Sequence, residues 1–139
     1  MAKEVFISLP VANLSTSVAF YQAIGFAKKD AFSNETGAGM IWSDVVMVML
    51  VSHQQWRIFT KRPIADADHS EMSINLSLDS RAAVDAMIQA AADHGGKVDV
   101  NPVQDLGFMY SRDFIDLDGH VFGALWMDPN AGAEDEVPN

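Results

Sequence analysis

Residues 5–51 set a pattern that returns in residues 72–127, and this repetition constrains the fold more than any other feature of the chain. Ile7, Leu9 and Val11 are matched 67 positions later by Ile74, Leu76 and Leu78. Each copy runs through a strand, a capped amphipathic helix closed by glycine, and three more extended segments. The order is βαβββ, a connector, then βαβββ, which makes the chain α+β. One such unit buries only one face of its sheet, so the two copies must associate. They form a single domain over residues 1–129, with halves at 4–60 and 71–129 and an acidic, flexible tail at 130–139.

The elements follow from periodicity. Val5 to Val11 has a strand's length, with Val5, Ile7, Leu9 and Val11 turned toward a helix and Phe6, Ser8 and Pro10 on the other face. Asn13 or Ser15 caps a helix carrying Leu14, Val18, Tyr21 and Ile24 on one stripe, and Gly25 closes it. Strands are expected at Phe26–Ser33, Ala38–Ser43 and Val45–Val51, then a short helix or turn over Gln54–Thr60 and a loop over Lys61–Ser70. In the second copy Met72–Leu78 alternates. Ser80 caps a helix to Ala92 with Val84, Met87, Ile88 and Ala91 as its stripe, and Gly95-Gly96 ends it. Strands follow at Lys97–Val103, Phe108–Asp116 and His120–Met127, with a tight turn at Asp118-Gly119.

Charge and composition remove whole classes of function. Nine basic residues against 19 acidic ones give a net charge of −10, which repels phosphate backbones and anionic lipid; neither nucleic acid nor a membrane is an expected partner. The chain has no cysteine, so disulfides, thiolate metal sites and a cysteine nucleophile are excluded. The apolar runs Val5–Val11 and Val45–Val51 are too short to span a bilayer, and the expected location is the cytoplasm. There is no P-loop or dinucleotide fingerprint.

Two sets of residues carry a family resemblance. The first is Leu9-Pro10-Val11-Ala12-Asn13-Leu14 with Ser17, Phe20-Tyr21 and Gly25-Phe26; the second is Phe114 with Asp116-Leu117-Asp118-Gly119-His120, in which Leu117 replaces the usual Pro. Their order resembles the vicinal oxygen chelate superfamily, which includes glyoxalase I, bleomycin- and fosfomycin-resistance proteins and extradiol dioxygenases. Met47-Val48-Met49-Leu50, Phe59-Thr60-Lys61, Pro63–Ala67 and Gly107–Tyr110 with Arg112 look like one bacterial subgroup of predicted lactoylglutathione lyases. The resemblance covers residues 4–129 and implies two half-barrel mixed sheets, paired, with helices on the outer face. It does not fix the function.

In the metal-dependent relatives Ni, Zn, Fe or Mn sits on the concave face, held by the first and fourth strands of each half. On this chain the matching positions fall at Phe6, in Val45–Val51, near Ser73 and at Gly123, none of which supplies an imidazole or carboxylate. The neighbours Val5, Ile7, Met72, Ile74, Phe122 and Ala124 would not restore the donors after a one-residue shift. The expectation is therefore a scaffold with no metal, no cofactor and no assigned catalytic residue. His53 and His69 read as loop residues, His94 as a helix-end residue, and His120 as part of the turn.

The concave pocket is then expected to take a small organic molecule. Its candidate lining is Phe6, Ser8, Ser73 and Asn75 from the first strands, and Trp42, Met47, Met49, Tyr110, Arg112 and Gly123 from the others. Gly123 would leave extra room. Arg112 shares a face with Tyr110 and Phe114 and would hold an anion if that face is the cavity, or form a structural ion pair if it is not. Two other readings stay open: a lyase- or dioxygenase-like metalloenzyme with unusual ligands, and a dimeric structural or regulatory protein. A homodimer is expected, because a half-barrel leaves sheet edges that need covering.

Overall fold

Strand β1 (Val5–Val11) runs into helix α1 (Leu14–Ala23), whose first turn is closed by the Asn13 side chain accepting from the Thr16 amide at 3.2 Å. The computed structural model describes residues 2–131, so most of the expected tail lies outside the described residues. The first half continues with β2 (Ala27–Lys29), β3 (Gly37–Ile41), β4 (Val46–Ser52) and the short helix α2 (His53–Phe59). The second half contains β5 (Ser73–Ser77), α3 (Arg81–Asp93), β6 (Lys97–Val98), β7 (Gln104–Asp105), β8 (Met109–Ile115) and β9 (Val121–Met127).

The two halves build the same sheet. The first has the order β1-β4-β3-β2 and the second β5-β9-β8-β6, with β7 also paired to β8. In each the first strand lies parallel to the last, and the remaining neighbours are antiparallel. The alternation read from the sequence decides which face is filled. Leu9, Val11, Val48 and Leu50 point to the helix side of the first sheet, as Ile74, Leu76, Phe114 and Phe122 do in the second.

Two strands are shorter than their patterns suggest. The segment Phe26–Ser33 stops pairing after Lys29 and makes a 3₁₀ turn at Asp30–Phe32, which the Ser33 hydroxyl closes by donating to the Lys29 carbonyl at 2.7 Å. The segment Lys97–Val103 breaks into β6 and a loop because Asp99 adopts a left-handed conformation, φ 53°. Helix α1 also buries more than its predicted stripe: Ser17 and Phe20 are buried beside Tyr21. It is packed on both sides. Its own sheet lies on one, while Phe20 and Tyr21 meet Phe114 and Phe122 of the second sheet at 6.2 and 5.7 Å between ring centroids. The two repeats thus share one core.

The turn between β8 and β9 fastens the halves together. The Tyr21 hydroxyl donates to Asp116 Oδ2 at 2.6 Å, and Asp116 Oδ1 accepts the backbone N–H groups of Asp118 and His120 at 2.9 and 2.8 Å. Asp118 accepts the Ala12 amide at 2.8 Å and the Ser17 hydroxyl at 3.4 Å. His120 Nε2 lies 2.8 Å from the Pro10 carbonyl, which can only accept, so this nitrogen carries the proton. Asp116 is buried, and desolvation raises its pKa above the usual carboxylate range; burial, then the Asp116 charge, push the Tyr21 hydroxyl up. The Asp118-Gly119 turn forms as the sequence predicts, with Gly119 at φ 92°.

Replacing Tyr21 with Phe keeps the ring but leaves a buried carboxylate oxygen without its donor. The expected cost in urea unfolding is about 2 kcal/mol, read as a lower midpoint with unchanged slope. An unchanged midpoint would mean that this bond does not hold the halves together.

Candidate functional site

Each sheet has a second face away from α1 and α3, with α2 meeting only the Met49 end of the first, and the two faces differ in chemistry. On the first sheet β1 and β4 are in parallel register, Phe6 beside Met47 and Ser8 beside Met49. These four point away from the helix side, because Ile7, Leu9, Val48 and Leu50 between them point toward it. Gly39 lies under the methionines: a Cβ there would stand 3.3 Å from the Met47 sulfur and 2.9 Å from Phe32 Cβ. Phe6 is 56% exposed and Phe32 46%, while Met47 is buried and Met49 half-buried, so this apolar surface is open at its two phenyl rings.

The second open face has a polar centre, flanked on the same parity by Met109, Leu125 and Met127. Ser73, Asn75 and Ser77 alternate along β5, and Asn75, Gly123 and Asp113 lie side by side across three strands. The Asn75 carbonyl oxygen stands over Gly123, and Asp113 Oδ1 lies 3.0 Å from the point a Cβ would take. The extra room expected at Gly123 is therefore filled by the Asn75 amide. The Asn75 amide nitrogen donates to the Ser73 hydroxyl at 3.3 Å, and Asn101 holds Asp113 Oδ2 at 2.7 Å.

Three sequence candidates lie on the other side of the sheets. Trp42 continues the parity of Ala38 and Met40 and packs against Phe26, with ring centroids 5.2 Å apart. Tyr110 and Arg112 share their face with fully buried Phe114, which makes it the helix-covered face. Arg112 grips Asp99 through two bonds of 3.0 and 2.7 Å and reaches Asp85 on α3 at 3.0 Å; the Tyr110 hydroxyl donates to the same Asp85 oxygen at 2.7 Å. Arg112 is thus a structural ion pair that pins α3 and the left-handed Asp99 to β8, and its guanidinium is committed. A parallel clamp joins Arg81 to Asp105 at 2.7 and 2.9 Å, with the guanidinium over the Tyr110 and Trp126 rings. Hydrogen bonds from Tyr110 and then Arg112 hold Asp85 below the usual carboxylate range, Arg112 does so for Asp99, and Arg81 for Asp105.

The positions that would hold a metal in the metal-dependent relatives do face the open sides, but their chemistry does not fit. Phe6, Met47, Met49, Ser73 and Gly123 offer no imidazole or carboxylate, and Asp113 is a single carboxylate bound to Asn101. Among the described residues no three His, Asp or Glu side chains come together as a metal set. The histidines lie elsewhere. His53 opens α2, His69 faces Asp66 at 4.0 Å on the connector, His94 ends α3 with Nδ1 2.9 Å from the Ala90 carbonyl, and His120 belongs to the turn.

A separate cavity of about 600 Å³ opens between the end of β1, helix α2, the connector and the Asp116–His120 turn. Trp56, Pro10, Ile74 and His120 are among its walls, and of the ten sequence candidates Ser8 alone lines it. Met49 lines a smaller hollow of about 190 Å³ with Phe59. The larger of these two hollows has no sequence signal, because its roof is an irregular connector.

A family model described as the Glyoxalase/Bleomycin resistance protein/Dioxygenase superfamily matches residues 5–123. No curated protein matches the chain. Among solved structures, a hypothetical protein of S. aureus is similar at 24% identity and TM-score 0.76, covering 91% of this chain and 95% of its own. A glyoxalase/bleomycin resistance protein/dioxygenase family enzyme from Burkholderia phytofirmans is similar at 16% identity and TM-score 0.74, covering 91% and 99%. A fosfomycin resistance protein from Mesorhizobium loti follows at 13% and 0.69, covering 96% and 98%. At these identities the likeness is one of fold.

The ion pairs of Arg112 predict an acid-dependent phenotype. Asp85 and Asp99 have lowered pKa values in the folded state, so their stabilisation is complete above the unfolded value of about 3.9 and is lost as pH falls through the folded values. Arg112→Met removes both pairs. Its urea midpoint should lie below the native one at neutral pH, and the gap should close below about pH 3.9. The buried Asp116 has the opposite sign but is common to both proteins and cancels. A gap that stays constant with pH would contradict the ion-pair role.

Proposed function

The chain belongs to the glyoxalase/bleomycin resistance protein/dioxygenase superfamily, and we propose that it binds a small organic molecule between its open sheet faces without the family's metal centre. The observation that carries this reading is the open apolar surface made by the exposed Phe6 and Phe32 rings beside half-buried Met49 and buried Met47, which carries no imidazole or carboxylate, opposite a filled core. Such a surface binds by burial and by contact with aromatic and methionine side chains, as small-molecule sites do.

A homodimer completes the compartment. The outer strands β1 and β5 belong to separate sheets and are not paired with each other. A second copy of the chain can set the open face of its second sheet, with Asn75 and Asp113 at its centre, against the apolar face of the first, giving a ligand one wall of Phe6 and methionine and one wall of Asn75 and Asp113. The molecule so formed is a cytoplasmic receptor or sequestering protein rather than a metal-dependent lyase or dioxygenase.

Phe6→Asp puts a charge on the apolar wall without touching the shared core. Sedimentation equilibrium should show a native dimer and, for the variant, a dimer weakened by at least about tenfold, equivalent to roughly 1.4 kcal/mol. A native monomer, or a variant that dimerises equally well, would contradict the paired-face arrangement.

A further inference from the structure

We propose that the cavity at the seam between the halves is a second binding compartment, for a small aromatic molecule of no net charge that carries one O–H or N–H donor. This site meets the open faces only at its Ser8 and Val121 edge and does not depend on their pairing. Its volume of about 600 Å³ is ample for a mono- or bicyclic ring system and lies within the usual range of small-molecule sites.

The cavity is built by ordered contacts. Its wall on α2 carries Trp56, and that helix is capped by the Ser52 side chain accepting from the Gln55 amide at 3.2 Å. Its floor includes Pro10, whose carbonyl is taken by His120, and Ile74 at the start of β5. Its roof is the connector, and this roof is seated: a Cβ on Gly119 would stand 2.5 Å from the Ala67 carbonyl, so the turn accepts the connector only because residue 119 is glycine. An indole with proline and isoleucine around it presents flat apolar surface, which an aromatic ring covers best.

Charge selects against ions. Arg62 stands on the roof with no ion-pair partner among the described residues, and Asp66 and Glu71 stand there too. Both Asp118 oxygens are committed to Ala12 and Ser17. An anion meets the two roof carboxylates and a cation meets the guanidinium, so an uncharged ring enters at the lowest cost. The polar handle is His120. Its Nε2 donates to Pro10, and its Nδ1 has no hydrogen-bond partner among the described residues, which in the neutral ring leaves an acceptor for the ligand's donor.

The test uses the full-length, nitrogen-15-labelled protein titrated with phenol, and separately with benzoate and benzylamine. Phenol should shift the Trp56 indole N–H and the amides of Ile74 and Val121 saturably, leaving the Trp126 indole in place. Trp56→Ala, or Trp56→Leu should the first not fold, should weaken phenol at least about tenfold, and Gly119→Ala should weaken it by displacing the roof. No saturable shift with phenol, or benzoate or benzylamine binding about tenfold more tightly, would overturn the proposal. Phenol shifts confined to Met49, Ser73 and Asn75 would overturn it too, while leaving the open-face reading standing.

Discussion

The Asp116 carboxylate, buried between the two repeats, is the constraint on which the rest of the molecule depends. Burying a charge is costly unless its oxygens are satisfied. Here Oδ2 takes the Tyr21 hydroxyl from the first repeat, and Oδ1 takes two backbone amides of its own turn. That geometry makes the turn rigid and fixes where α1 lies on the second sheet. With α1 in place, Tyr21 stacks edge-on against Phe122 and Phe26, and two half-cores become one.

The same arrangement explains why the functional surface is where it is. Helices α1 and α3 are used up in the shared core, so each sheet keeps one face away from them. The alternation that buries Leu9 and Leu50 presents Phe6 and Met47; the alternation that buries Leu76 and Phe122 presents Asn75 and Gly123. Parity makes the first of these faces apolar and gives the second a polar centre among apolar residues. That they offer one carboxylate, Asp113, and no set of donors is likewise a property of the side chains at fixed positions. The residues gripping Arg112 and Arg81 stabilise α3 and the β7 loop and leave those cations unavailable to a ligand.

Much of the fold was legible because it rests on local signals that repeat. Asn13 and Ser80 cap where they should, the alternation of Val5–Val11 and of Ser73–Ser77 picks the buried side, and the short helix after β4 is present. What was not legible depends on distant partners. Nothing in Lys97–Val103 shows that Arg112 will hold Asp99 in a left-handed turn and break the strand. The site was legible in part. Parity alone places Phe6, Ser8, Met47, Met49, Ser73, Asn75 and Gly123 on open faces. Parity also links Tyr110 and Arg112 to Phe114, and only the burial of Phe114 shows that this face is covered. Trp42 follows Ala38 and Met40 to the same side. The seam cavity is made by the connector folding over Gly119, a contact without a sequence pattern.

The claim at the centre of this account is that the open faces form a binding surface without a catalytic cation. An anomalous-scattering map of crystals equilibrated with nickel and zinc tests it most directly. The account predicts no metal peak against Phe6, Met47, Ser73, Asn75 or Gly123. A full-occupancy ion there, coordinated by side chains of this protein, would contradict it and return the protein to the metalloenzymes of its superfamily.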